Sequence, residues 1–117
     1  MPGYNRDLLR RWTLLCLMRG VEDSDRMREL FARHYHLSDQ DVREPAGGSP
    51  TSAFVNEHAW VLSELNRGRR PAIEKLGEKR YRLAARGREM FRRDGLERHL
   101  PVLDRLLREA KTPGEPR

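Results

Sequence analysis

From Asn5 onward, apolar side chains recur at helical spacing through Leu8, Leu9, Trp12, Leu15 and Cys16, and the run ends at Arg19-Gly20. Asn5 suits the N-cap and Gly20 the stop. Leu14, Leu17 and Met18 fall off that stripe, so the second half of this helix is apolar almost all round. Such a helix is covered on more than one side. Acidic Glu22-Asp23-Ser24-Asp25 opens a second helix, where negative charge favours the helix dipole and Asp23 or Ser24 can cap. Met27, Leu30, Phe31 and Tyr35 mark its buried face. Ser38 then caps a short turn over residues 39–43, and residues 44–50, with two glycines and two prolines, read as a loop.

Thr51 or Ser52 caps a third helix that runs to about Asn66. Phe54, His58, Val61, Leu62 and Leu65 project within roughly 100° of one another at 3.6 residues per turn. The opposite stripe, Ser52, Asn56, Ala59 and Ser63, is small and polar, with Trp60 on its shoulder. After Gly68 the period changes. Residues 72–76 and 79–83 alternate apolar with charged, and Gly77-Glu78 lies between them, which predicts a two-stranded hairpin. Ile73, Tyr81 and Leu83 should face the core, while Lys75, Lys79, Arg80 and Arg82 reach solvent. A lone hairpin is marginal in water, so it must pack on the helices. Residues 85–95 form another helical segment with Met90 and Phe91 inward, and Gly95 allows a break. Leu96, Leu100, Leu103, Leu106 and Leu107 then make a leucine stripe in which Pro101 restarts the helix, and residues 112–117 form a frayed tail.

The expected architecture is therefore mostly α with a small β-hairpin. Residues 1–95 form the main domain, residues 96–111 a C-terminal helix, and residues 112–117 a flexible end. A length of 117 residues supports one core rather than two. No apolar run approaches the roughly 18 residues needed to cross a bilayer. Asp7 precedes any apolar stretch, so no signal peptide is expected. Cys16 is the single cysteine, which excludes an intrachain disulfide and makes the reducing cytoplasm the expected location.

Charge is unevenly placed. Residues 1–66 carry a net −2 and residues 67–98 a net +7, so the basic excess of the chain is confined to one third of it. A concentrated positive field attracts a polyanion, of which nucleic acid is the commonest. Three helices followed by a basic hairpin is the order of a winged helix-turn-helix. In that arrangement the third helix enters the major groove, which admits one α-helix, and the hairpin reaches neighbouring phosphates.

The residues Phe54-Val55-Asn56, Trp60, Leu65, Gly68, Ile73, Gly77, Tyr81-Arg82-Leu83 and Gly87-Arg88-Glu89, preceded by Leu37-Ser38-Asp39, also form a pattern. It resembles the N-terminal winged-helix domain of Mrr-type restriction proteins, over roughly residues 8–92. The resemblance implies a domain that recognises or docks on DNA for a separate nuclease domain. Only about 25 residues follow residue 92 here, so no nuclease domain is expected. The family often carries a basic residue just after the helix asparagine, whereas this chain has Glu57, an acid that would repel phosphate.

On both grounds, Asn56 is the candidate for base contact, because its amide donates and accepts in a bidentate pair with adenine. Thr51 and Ser52 at the helix N-terminus suit a phosphate. Arg67, Arg69 and Arg70 lie at the helix exit, and Lys75, Lys79, Arg80 and Arg82 along the wing. No metal or other cofactor is expected. His34 and His36, two apart, point about 200° from each other on a helix, His58 sits on an apolar face as a satisfied core residue, and His99 stands alone. Cys16, among Leu15, Leu17 and Met18, reads as a small buried hydrophobe. No nucleophile elbow, phosphate loop or paired-His motif occurs, so no enzymatic activity is expected.

The all-round apolar first helix and the leucine stripe further suggest a homodimer through the first and C-terminal helices. The function that follows is a dimeric transcriptional regulator binding double-stranded DNA. The alternative is a protein-interaction or accessory module of a restriction or defence system on the same fold, favoured by Glu57, Glu64 and the negative first half.

Overall fold

A computed structural model of the chain describes residues 4–43 and 52–111. The expected loop over residues 44–50, Thr51 and the tail at 112–117 lie outside the described residues. The elements in order are α1 (Arg6–Met18), α2 (Ser24–His34), a short α3 (Asp39–Arg43) and α4 (Ala53–Leu65). An antiparallel hairpin of β1 (Ile73–Gly77) and β2 (Arg80–Leu83) follows, then α5 (Ala85–Arg93), a 3-10 turn over Leu96–His99 and α6 (Leu100–Lys111). The described chain is thus mostly helical with one two-stranded hairpin. No described helix is long and apolar enough to cross a membrane.

The helix starts follow from local side-chain chemistry. Asn5 Oδ1 accepts from the Leu8 N–H at 2.9 Å, Asp23 Oδ1 from Arg26 at 3.0 Å, and Ser52 Oγ from Val55 at 3.1 Å. Each cap satisfies one orphan donor of the first turn and contributes about 1 kcal/mol. Ser38 does the same for α3, accepting from the Asp41 N–H at 3.0 Å.

α1 is the centre of the molecule. Its residues 12–17 are all buried, and it touches α2, α4, β2, α5, the 3-10 turn and α6. The expected homodimer rests on two apolar surfaces left uncovered in one subunit. Both are covered within a single chain. Leu96, Leu100, Leu103 and Leu106 are buried in the same core cluster as Leu14 and Leu17, and Arg19 of α1 clamps Asp104 of α6 through two hydrogen bonds of 2.7 and 3.0 Å. The C-terminal helix packs on α1, so both apolar surfaces from which the dimer was expected meet each other within one chain. Pro101 lies in the first turn of α6, where its missing N–H costs nothing, and the helix begins one residue before it, at Leu100.

The hairpin pairs Ile73 with Leu83, Glu74 with Arg82 and Lys75 with Tyr81. Ile73, Tyr81 and Leu83 are buried and the basic residues exposed, as the alternation predicts. Two features differ from the expected hairpin. A bulge follows Lys75, leaving Leu76 exposed, and Lys79 belongs to the turn with φ 66°, in the left-handed region. Lys79 is tethered there because its carbonyl accepts from the Ser24 N–H at 2.9 Å while its ammonium reaches Asp25 at 3.0 Å. The Tyr81 N–H in turn donates to the Glu22 carbonyl at 3.1 Å, so a single bridge between Asp23 and Arg80 covers the outer edge of β2. The segment joining α1 to α2 thereby fastens the hairpin to the helices.

Candidate functional site

α4 buries Phe54, His58, Val61, Leu62 and Leu65 against the core, which fixes its opposite face outward. That face presents half-buried Asn56 and exposed Ala59, Trp60 and Ser63, with no charge among them. Trp60 keeps 57% of its surface exposed. On one flank, Glu57 takes two hydrogen bonds from Arg6, at 2.7 and 3.3 Å, and Glu64 takes two from Arg10, at 2.9 and 3.3 Å. The Arg6 guanidinium also lies 5.7 Å from the centre of the Trp60 ring. The acid after Asn56 is therefore matched by a cation of α1, and its charge does not face the groove alone. On the other flank stands the hairpin. Between them runs an open groove, walled by Val55, Ala59, Ser63 and Asn66 of the helical side and by Lys75, Glu78 and Lys79 of the hairpin.

The sequence-derived candidates divide into distinct settings. Lys75 and Lys79 border this groove, and Asn56 stands on the adjoining outward face, its side-chain amide making no hydrogen bond among the described residues. The Ser52 hydroxyl is engaged as the cap of α4, and Thr51 lies outside the described residues. Arg67, Arg69 and Arg70 line a separate cleft at the exit of α4. Four of the seven cations are already engaged by carboxylates: Arg70 with Glu89 at 2.9 Å, Lys79 with Asp25 at 3.0 Å, Arg80 with Glu22 at 2.8 Å and Arg82 with Glu74 at 3.2 Å. Among the described residues Arg67, Arg69 and Lys75 make no ion pair.

Sequence reasoning missed what lies behind the groove. Lys79 holds Asp25, Asp25 holds Arg28, and Arg28 Nη1 lies 2.9 Å from His58 Nδ1 inside the core. A guanidinium only donates, so Nδ1 must accept, and Nε2 then carries the proton and donates to Thr13 Oγ1 at 3.0 Å. Thr13 passes its own proton to the Leu9 carbonyl at 2.8 Å. A continuous polar chain thus runs from the tip of the hairpin through α2 and α4 to the backbone of α1. Burial, reinforced by Arg28, lowers the His58 pKa to about 3, and the Lys79 contact, joined by Arg28, holds the Asp25 carboxyl below its ordinary range. His58 is a satisfied core residue whose imidazole is neutral. Its neighbours Thr13 and Arg28 carried no signal in the periodicity, since both contacts bridge more than 25 positions of chain.

Among the described residues, no three His, Cys, Asp or Glu side chains are grouped to hold a metal. Cys16 is fully buried, and burial raises its thiol pKa, leaving it protonated. No protein-family model, curated protein or solved structure matches the chain.

Proposed function

We propose that this protein is a winged helix-turn-helix reader of duplex DNA, with α4 as the recognition helix, the hairpin as the wing, and no chemistry of its own. The observation that carries the proposal is the groove between α4 and the hairpin, where Lys75 and Lys79, with Glu78 between them, stand beside a helix wall of Val55, Ala59, Ser63 and Asn66 that carries no charge. Ala59 and Ser63 let a backbone approach closely, and the ammonium groups suit phosphates on the rim. The bridge from Asp23 to Arg80 supports the same reading, because it ties the hairpin to the segment between α1 and α2 and so fastens the wing to the helices. The resemblance to the DNA-docking domain of Mrr-type proteins agrees with it. Transcriptional regulation, by occupation of an operator, is the use proposed for such a reader.

Trp60 favours a second reading. An exposed tryptophan at the middle of a helix face, rimmed by the Arg6–Glu57 pair, is the residue type that anchors protein interfaces. On that reading the chain is an interaction module of a defence or restriction system. Titration of a fluorescent duplex at two salt concentrations separates the two. Under the DNA reading, Asn56→Ala erodes discrimination between sites, whereas Lys75→Ala and Arg80→Ala weaken all duplexes about equally. Absence of any salt-dependent duplex binding, with capture of a protein partner that Trp60→Ala abolishes, would establish the second reading in its place.

A further inference from the structure

The connection after α4 builds a second concave surface. The chain turns at Gly68, whose φ of 94° lies in the left-handed region, and the Ala72 N–H closes the turn on the Leu65 carbonyl at 2.8 Å. α5 is drawn to the same place from the other side. The Ala84 N–H donates to the Ala72 carbonyl at 2.9 Å, and buried Gly87 sits where a Cβ would overlap that carbonyl oxygen. This close approach puts Arg86 on one open cleft with Arg67, Arg69, Arg70 and Arg10.

The charge balance of the cleft is far from neutral. Its one lining carboxylate, Glu64, is held by Arg10 at 2.9 Å, and Arg70 is held by Glu89. Among the described residues Arg67, Arg69 and Arg86 have no ion pair, so three free guanidinium groups share one concavity whose shape focuses their field. The first turn of α5 holds no acidic residue, and its cap, Ala84, makes no side-chain bond, which leaves the positive end of that helix uncompensated. No aromatic ring lines the cleft, so it has the means to bind charge rather than a base.

We infer that this cleft is a phosphate-binding site, with Arg67, Arg69 and Arg86 supplying its free donors. A planar guanidinium matches phosphate oxygens two at a time, and three around one hollow suit adjacent phosphoryl groups better than a lone carboxylate. Such groups come from two sources: a free polyphosphate anion, or a nucleic-acid backbone running past the end of α4. The backbone source rests on the DNA reading above. The free-anion source does not.

Inorganic tripolyphosphate and a fluorescent duplex are each titrated against the full chain, the triple variant R67Q/R69Q/R86Q, and R92Q as a control for loss of charge outside the cleft. The expected result is saturable binding that the triple variant weakens by about tenfold or more per arginine, while R92Q stays near wild type. Competition between tripolyphosphate and duplex, or a loss confined to the duplex, assigns the backbone source. Simultaneous binding of both, or a loss confined to tripolyphosphate, assigns a free anion. Failure of the triple variant to weaken either ligand more than R92Q does would overturn the site, including the case in which neither ligand binds. If duplex binding is absent altogether, the tripolyphosphate titration still decides the cleft while the DNA reading falls. All three positions are exposed, and unfolding midpoints verify that the variant is folded; the single variant R69Q repeats the comparison if it is not.

Discussion

His58 makes stability depend on pH in a window where few other groups titrate. Its imidazole is 1% exposed, accepts from Arg28 and donates to Thr13, and its pKa falls from 6.5 to about 3 on folding. Protonation in place would set a buried cation against a guanidinium that can only donate. Between these two values the unfolded chain binds the proton and the folded one does not, so this contribution is complete above about pH 6.5 and is lost as pH falls. One pKa unit is worth about 1.36 kcal/mol, so lowering the pH from 7 to 5 costs about 2 kcal/mol through His58 alone. That is a large fraction of the roughly 5–15 kcal/mol that holds a domain together.

Urea unfolding at pH 7, 6 and 5, followed by the fluorescence of buried Trp12, measures this directly. His34 also has a pKa lowered by burial and contributes in the same direction, so the comparison is made against His58→Gln. The variant should start less stable, having lost one of the two hydrogen bonds, but its stability should fall about 2 kcal/mol less over the same interval. The imidazole resonances of His58 in the wild type should remain those of a neutral ring down to pH 4. An equal loss of stability in both proteins, or a His58 that titrates near 6.5, would refute the reasoning.

Three other outcomes are expected. Gly87→Ala forces a methyl group onto the Ala72 carbonyl oxygen and to within 2.7 Å of Leu83 Cδ1, and should cost about 1–3 kcal/mol in denaturant unfolding. Leu103→Ala empties a fully buried position between α6 and the rest of the core and should cost about 2–5 kcal/mol in denaturant unfolding. Cys16 should react with iodoacetamide only at the rate of unfolding, because its thiol is buried and protonated; rapid labelling of the folded chain would contradict that placement.

The parts of the fold that were legible in the sequence are those set by neighbours within a few residues. Asn5, Asp23, Ser38 and Ser52 cap through bonds three residues long, and the apolar faces of α2 and α4 follow from period alone. The hairpin followed from alternation, but its bulge did not, and neither did the left-handed Lys79, which is held by Ser24 and by Asp25 some 54 positions away. The second half of α1 was correctly read as covered on more than one side. What covers it was not legible, since an amphipathic C-terminal helix has the same pattern whether it folds back or pairs with a twin. At the candidate site, the basic residues were visible and their partners were not. Arg86 was overlooked although a signal stood beside it: a glycine inside a helical segment marks a close backbone approach, and Gly87 is what brings that arginine to the cleft.

The ion pairs change how the basic surplus acts on a polyanion. Exposed pairs such as Arg80–Glu22 and Arg82–Glu74 are worth about 0–1 kcal/mol each, so a phosphate can displace the carboxylate at little cost. Displacement, however, frees a carboxylate that gathers counterions of its own, and the net release of salt shrinks. If all seven candidate cations contacted phosphate from a free state, the slope of log K against log salt would be about −6; with only Arg67, Arg69 and Lys75 free, it should lie near −3. Removing the carboxylates while leaving every cation in place is the discriminating change. Glu22→Gln with Glu74→Gln should tighten duplex binding at low salt and steepen the slope by about two, since Arg80 and Arg82 then meet phosphate without an exchange. Both acids are half-buried but meet their arginines as exposed pairs, so the variant should keep its stability within about 1 kcal/mol of the parent. A wild-type slope already near −6, or one indifferent to the two substitutions, would mean that the pairs open freely in solution and that the wing acts with its full formal charge.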